Sequence, residues 1–316
     1  MNNVYSLAQW ILFFYLYSFI GWVYESIYVS IKEKRWVNRG FMRGPFLPLY
    51  GSGAVVMLFV TIPFRDNWAL TFIAGCIGAT TLEYITGVTM EALFKVRYWD
   101  YSKEKFNFQG HICLGASLAW GLFTILLTFV IHKPIERMVL SIPITFVRYF
   151  TFFLSIFIVS DFSLSFKAAL DLRDVLVKMD RVKEELVRMQ KRLDVILAFA
   201  GETKENTSQR AEEIIESLEN KFKSFKEMLP KWELSDERKE EIAELRIKLG
   251  IHKEKQFQLS HVMDFWRNNL IKGNPGMISV KFREGLEDIK KVAMESKRKR
   301  KNVQEGDLSD LDKKGE

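Results

Sequence analysis

Cysteine is nearly absent from this chain: Cys76 and Cys113 are the only two, 37 positions apart. That excludes a disulfide framework and a four-thiolate zinc site. The four histidines, at 111, 132, 252 and 261, do not pair at ligand intervals with acids or thiols, so no metal-binding spacing is offered. No Gly-x-x-x-x-Gly-Lys-Ser/Thr loop is present to cradle nucleotide phosphates, so any ATP hydrolysis would have to come from a separate subunit. No basic segment precedes the first apolar run and no small-residue cleavage site follows it, so that run reads as a span and not as a removable signal. Internal repeats of the sort that build stand-alone transporters are also missing. Charge is scarce in the front half. Residues 1–166 hold 13 of the 46 Lys and Arg and 9 of the 39 Asp and Glu, which leaves 33 and 30 for the last 150 positions. A mean hydropathy of −0.03 therefore averages two unlike halves, and a single soluble globular domain is excluded. Net charge divides as +4 and +3, so the pI of 9.2 gives no argument for nucleic-acid binding.

Long apolar stretches are what the front half has instead. They run over about Tyr5–Ile31, Pro45–Pro63, Trp68–Phe94, His111–Ile131 and Pro143–Phe166. A bilayer core takes about 20 apolar residues per helix, so five spans are expected. The second stretch opens Gly44-Pro45-Phe46-Leu47-Pro48 and continues through Gly51-Ser52-Gly53. Its composition predicts a broken or re-entrant start, tolerated at depth only where protein satisfies the backbone. Lys133–Ser141 is amphipathic and belongs at the interface. Loop charge sets the orientation. Lys32, Lys34, Arg35, Arg39 and Arg43 follow the first span and Lys95, Arg97, Lys103 and Lys105 the third, against Arg65, Lys133 and Arg137 on the opposite side. Nine to three places the N-terminus outside and the C-terminal half in the cytoplasm.

Ionisable groups inside spans are costly and point to function. Here they are Glu25, Glu83, Glu91 and Asp161. Gly75, Ala79, Glu83, Gly87 and Glu91 recur every four residues and share one helix face, where small side chains admit a neighbouring helix. Two readings stand: the acids staple helices by pairing with Arg, Trp or Tyr, or they line a polar cavity open to the cytoplasm. Asn38-Arg39-Gly40 before Gly44-Pro45 makes a tight turn with a fixed guanidinium suited to an anion. Trp99-Asp100-Tyr101-Ser102 sets two rings beside an acid at the membrane boundary, which also describes an ordinary aromatic belt. Cys113 reads as a packing residue, and its neighbour His111 does not make it a dyad.

Gly21-Trp22-x-x-Glu25, Asn38-Arg39-Gly40 and Gly44-Pro45-x-x-Pro48-x-Tyr50-Gly51 together resemble the opening of the putative ABC-transporter type IV family of bacterial membrane proteins. The resemblance continues through Glu83-Tyr84, Trp99-Asp100-Tyr101-Ser102, Asn107, Gly110, Ile112-Cys113, Trp120-Gly121 and Asp161, covering residues 1–166 in order. His111 stands where the family usually has arginine, and Tyr98 where tryptophan is common. The resemblance implies a permease-like unit of the bacterial plasma membrane. Its candidate ligand-binding residues are Glu25, Asn38, Arg39, Tyr50, Glu83, Tyr84, Trp99, Asp100, Tyr101, Asn107, His111 and Asp161.

The back half reads as helices. Leu172, Val175, Met179, Val182, Leu186, Met189, Leu193 and Ile196 form a heptad seam, entered from the fifth span without a breaker. Gly201-Glu202-Thr203 ends it; a second seam follows at Ile215, Leu218, Phe222, Phe225 and Leu229, stopped by Pro230. The seam serves either a hairpin within the chain or a coiled coil with a partner or second copy. Further helices are expected from Ser235 to Gly250, over Lys253–Ile271, and from about Val280 after the break at Gly273-Asn274-Pro275-Gly276. The basic run Lys297–Lys301 lies in a tail that is either solvated or held at anionic lipid.

The expected protein is all-α: an integral membrane bundle of about five helices followed by a cytoplasmic helical, coiled-coil region. Its domains would be 1–166, 167–229, 230–295 and a basic tail 296–316. It would bind or move a small solute or lipid group, with membrane lipids and a separate ATPase subunit as partners and neither cofactor nor nucleic acid. Two alternatives are a membrane-anchored scaffold acting through the coiled coil, and an enzyme on a lipid-linked substrate. No catalytic constellation favours the enzyme.

Overall fold

A computed structural model of the chain describes residues 5–200, 236–261 and 265–294. Helices α1 (Leu7–Glu33), α2 (Pro48–Thr61), α3 (Trp68–Phe94), α4 (Leu114–Leu126), α5 (His132–Ser141) and α6 (Ile144–Ala200) are followed by α7 (Asp236–His261), α8 (Phe265–Gly273) and a helix α9 over 283–294. A single π turn, Leu127–Ile131, joins α4 to α5, and a two-residue hairpin pairs β1 (Asn107–Phe108) with β2 (Ile112–Cys113). The chain divides into two compact units. One runs up to Val177 and resumes at His261; the other is Lys178–Ser260.

Four stretches are long and apolar enough to cross a membrane: Leu7–Glu33, Trp68–Phe94, Leu114–Ser141 and the front of α6. The fold is that of an all-α membrane protein. The second expected span differs. Its helix, α2, has 14 residues, about 21 Å of rise, and a 3₁₀ turn, Ile62–Phe64, extends it. The missing length is supplied by a non-helical segment that runs back along α1. The Val37 amide donates to Ser30 Oγ (2.9 Å), the Arg39 amide to Ser26 Oγ (3.1 Å), Trp22 Nε1 to Asn38 Oδ1 (2.6 Å), and the Leu47 amide to the Ser18 carbonyl (3.0 Å). Ser18, Trp22, Ser26 and Ser30 recur every four residues, so one stripe of α1 satisfies three amides and the Asn38 side chain of this irregular segment, which lipid could not. The Gly-Pro opening predicts a broken or re-entrant start, and the chain is non-helical here up to Leu47.

Close backbone approach holds the helices together. A Cβ on Gly51 would lie 2.1 Å from Ser18 Oγ, and one on Gly75 would lie 2.2 Å from Thr124 Oγ1. The buried residues of α3 include Gly75, Ala79, Glu83 and Gly87, the face predicted from their spacing. Phe13, Tyr17, Met57, Leu58, Ala79 and Leu127 belong to the apolar core. Away from the basic loops, the His132 ring is held at both nitrogens, by Tyr5 Oη at 3.1 Å and Tyr17 Oη at 2.8 Å, and Tyr5 also donates to Glu136. Burial, with Glu136 beside it, pushes the Tyr5 phenol up to about 12.

The fifth span continues into the heptad without a break. Helix α6 has 57 residues, about 86 Å, and Leu172, Val175, Met179, Val182, Leu186 and Leu193 of the seam are buried. Within the second unit, Leu193 packs with Ile242 and Leu245, flanked by Met189, Ile196 and Leu249. The helix expected to stop at Gly250 does not stop there, since α7 runs on to His261. A lone glycine costs a helix only about 1 kcal/mol relative to alanine, and a Cβ on Gly250 would meet nothing within 4 Å. The linker after Gly201, the seam at Ile215–Leu229, the cap at Ser235 and the basic tail lie outside the described residues.

The last described segment packs back onto the basic loops, within the first unit. Arg97 and Ile278 exchange both backbone hydrogen bonds (2.7 and 2.9 Å), and Ser279 Oγ donates to the Lys95 carbonyl (2.6 Å) while accepting from the Phe282 amide. Ile271, Met277, Leu286 and Ile289 are buried. Burial lowers the pKa of Lys290, opposed by Glu287, and its ammonium donates to the Pro275 carbonyl at 3.0 Å.

Candidate functional site

Glu25, Glu83, Glu91 and Asp161, the acids within the apolar spans, are all hydrogen-bonded. Glu25 on α1 accepts from Tyr50 Oη of α2 (2.5 Å) and from Arg39 Nε of the non-helical segment (3.4 Å). Arg39 Nη1 also donates to Asn274 Oδ1 (2.6 Å), so the first link of this chain lies in the C-terminal segment. Glu83, buried on α3, accepts from Tyr101 Oη (3.1 Å) and from Trp120 Nε1 of α4 (3.0 Å). The two groups meet where the rings of Tyr50 and Trp120 stand edge to face, 6.4 Å apart. Two hydrogen-bonded groups, Asn274–Arg39–Glu25–Tyr50 and Tyr101–Glu83–Trp120, thus abut through the ring contact of Tyr50 and Trp120.

The carboxylates of the two groups differ in kind. Glu25 has a guanidinium partner. Glu83 has two neutral donors and, among the described residues, no ion-pair partner. A charge there is stabilised by dipoles alone in a poorly solvated site.

A second group sits at the foot of α3. Arg97 Nε donates to Glu91 (2.8 Å), His111 Nε2 lies 3.0 Å from the same carboxylate oxygen, and Arg97 Nη1 reaches Asp100 at 3.3 Å. Burial and the neighbouring Arg97 hold the His111 ring below its usual pKa despite Glu91 and Asp100. Burial pushes the Asp100 carboxyl up, but the Ser102 hydroxyl and amide, with Arg97, outweigh it and leave the pKa below the ordinary value. The imidazole of His111 and the guanidinium of Arg97 share one oxygen of Glu91 as acceptor.

The remaining candidates build the loop that carries these groups. Trp99 Nε1 donates to the His111 carbonyl (2.9 Å), the Tyr101 amide to the Gly110 carbonyl (2.8 Å), and Asn107 Nδ2 to the Glu104 carbonyl (2.8 Å). Tyr84 Oη reaches Gln109 (3.2 Å). Gly110 has φ +74°, and a Cβ there would lie 2.6 Å from Arg97 Nη1, so this turn requires glycine. Burial raises the pKa of the Tyr101 phenol, with Glu83 adding to it, and burial raises Tyr98. Tyr98, the position of the common tryptophan, keeps a buried hydroxyl with no partner among the described residues. Asp161 stands apart from both groups and accepts the Gly44 amide (2.8 Å), pinning the non-helical segment to α6. Asn38 ties Trp22 to the Arg43 carbonyl. Cys113 caps α4, its sulfur accepting from the Ala116 amide at 3.4 Å.

This ordered set of residues from α1 to α6 coincides with a known family. The model of the putative ABC-transporter type IV family matches residues 12–166. Over those residues the chain is similar to that family. No curated protein and no solved structure matches the chain. All twelve candidates lie inside the region of this ABC-transporter-type match. The twelve candidates omit Glu91, although it is one of the acids inside the spans, and also Trp120 and Arg97, of which the first belongs to a quoted motif and the second flanks one. They also omit Asn274, which is 235 positions from its partner Arg39.

Proposed function

We propose that this chain is the membrane-embedded, permease-like component of a transport system. It binds or moves a small solute or lipid group along the polar groups from Arg39 to Glu83, and a separate ATPase subunit supplies the energy. The observation that carries the reading is Glu83: a buried acid with neutral donors only, at the crossing of the bundle, is costly unless a proton, a cation or a polar ligand group uses it. The family match supports the transporter class. Glu83→Gln keeps volume and hydrogen bonding, so folding survives while the charge goes. In a deletion strain complemented at equal membrane abundance, Glu83→Gln is expected to impair function at least tenfold, and Glu91→Gln less, since Glu91 acts in the loop cluster with Arg97 and His111. Equal activity of Glu83→Gln and the parent would reduce these groups to packing.

The proposal includes the bacterial plasma membrane, an external N-terminus and a cytoplasmic C-terminal half. The nine-to-three excess of basic residues supports it, as does the packing of one C-terminal segment against both basic loops. Reporter fusions after Lys105 and Lys167 should read as cytoplasmic, and those at Asp66 and Lys133 as external; an external reading after Lys167 would overturn the topology. The 57 residues of α6 also favour a second reading, a membrane-anchored scaffold that recruits partners through its heptad. A silent Glu83→Gln combined with loss of function on Leu186→Glu would select that reading.

A further inference from the structure

A cavity of about 290 Å³ opens beside the first basic loop, bounded by residues 35–43, by α6 at Ser165 and Ala168, and by the end of α8 at Asn269–Gly273. Its lining includes three basic residues, Arg35, Arg43 and Lys272, and no acidic one. Trp36, 65% exposed, and Phe41 add aromatic surface. Arg35 is positioned from both sides, its Nη2 lying 3.5 Å from the Lys272 carbonyl and 3.9 Å from Glu33. The cavity also sits at a membrane boundary. The apolar part of α6 gives way at Lys167, between the two α6 residues that line it. A half-exposed tryptophan beside arginines belongs at that level.

We propose that this cavity binds a phosphate group, either the head group of an anionic phospholipid or a small soluble phosphate ester. Guanidinium forks match phosphate oxygens in geometry and charge, and an ammonium adds a point charge. The volume is at the low end of ligand pockets, which suits a head group and not a nucleotide. Because the cations come from two segments far apart in sequence, a phosphate held by Arg35, Arg43 and Lys272 would tie α8 to the membrane loop. The site is separate from Glu83 and does not depend on the transport reading.

The test uses the full chain in nanodiscs. In one arm the lipid is phosphatidylcholine alone or an equimolar mixture with phosphatidylglycerol, and lipid retained after release is read by native mass spectrometry. In the other, glycerol phosphate is titrated into the phosphatidylcholine sample and thermal stability is followed. Retention of phosphatidylglycerol identifies a lipid head group; saturable stabilisation by glycerol phosphate identifies a soluble ester. In either arm, Arg35→Gln and Lys272→Gln are each expected to weaken binding about tenfold or more, and Lys105→Gln, which removes a loop charge away from the cavity, should leave it intact. Absence of binding in both arms overturns the proposal, as does parental binding by Lys272→Gln or an equal loss in Lys105→Gln. Should Arg35→Gln fail to fold, Lys272→Gln still decides the matter, since Arg35 bonds the carbonyl of that residue and not its side chain.

Discussion

Gly51→Ala is expected to weaken the bundle, whereas Gly53→Ala, two residues along the same helix, should leave it unchanged or firmer. The added methyl at Gly51 would lie 2.1 Å from Ser18 Oγ and 2.4 Å from the Phe14 carbonyl oxygen, and the second of these is backbone. α1 and α2 must then separate, giving up the contact that seats Leu47 on Ser18. Overpacking of this kind costs about 1–3 kcal/mol, and more where backbone has to shift. At Gly53 a Cβ meets nothing within 4 Å, and alanine is worth about 1 kcal/mol over glycine inside a helix. The two substitutions therefore differ in sign. Thermal unfolding of the detergent-purified chain should show Gly51→Ala lower by several degrees, at about 2–4 °C per kcal/mol for a domain of this size. Coincident curves would mean that α1 and α2 do not cross at Ser18 and Gly51.

The sequence made this contact legible only in part. The small-residue face of α3 was visible as a period of four because its members are glycine, alanine and acid in an apolar background. The serine stripe of α1 has the same period but no charge to mark it, and only the path of residues 37–47 shows Ser18, Ser26 and Ser30 to be backbone partners. The same holds for the site. Glu25 and Glu83 stood out by the cost of charge at depth and Arg39 by its place in a tight turn, whereas Trp120 supplies a neutral N–H that no charge argument would single out. Pairing between acids and their donors depends on which helices are neighbours, and one sequence carries little of that information. The end of α7 was misjudged for a local reason. Gly250 resembles a helix stop, but a stop needs a left-handed residue with its carbonyl partners, and α7 simply continues past it.

Replacing Asn274 is expected to release the C-terminal segment from the loops while the membrane helices stay folded. The Asn274 side chain is 1% exposed and fully used: Nδ2 donates to the Gly40 and Leu270 carbonyls, both at 2.8 Å, and Oδ1 accepts from Arg39. Gly273 lies so close that a Cβ would come 2.5 Å from the Asn38 carbonyl oxygen, so no bulkier residue could take over the contact from next door. Asn274→Ala leaves the Gly40 carbonyl without its partner and leaves Arg39 Nη1 only the Gly273 carbonyl at 3.4 Å, and each such loss costs about 1–3 kcal/mol. Local opening should then rise between about thirtyfold and about twenty-thousandfold, at 1.4 kcal/mol per factor of ten. Hydrogen exchange in the peptide containing Ile278, whose amide bonds the Arg97 carbonyl at 2.9 Å, reads this directly. Asn274→Asp sharpens the test. Aspartate can still accept from Arg39, but it sets a carboxylate against two carbonyl oxygens, so it should open the segment at least as far as alanine does. If the pairing with Arg39 alone held the segment, aspartate would protect it instead. Unchanged exchange in both variants would show that the segment is held elsewhere, by the buried Ile271, Met277 and Leu286, and that Arg39 serves Glu25 independently of it.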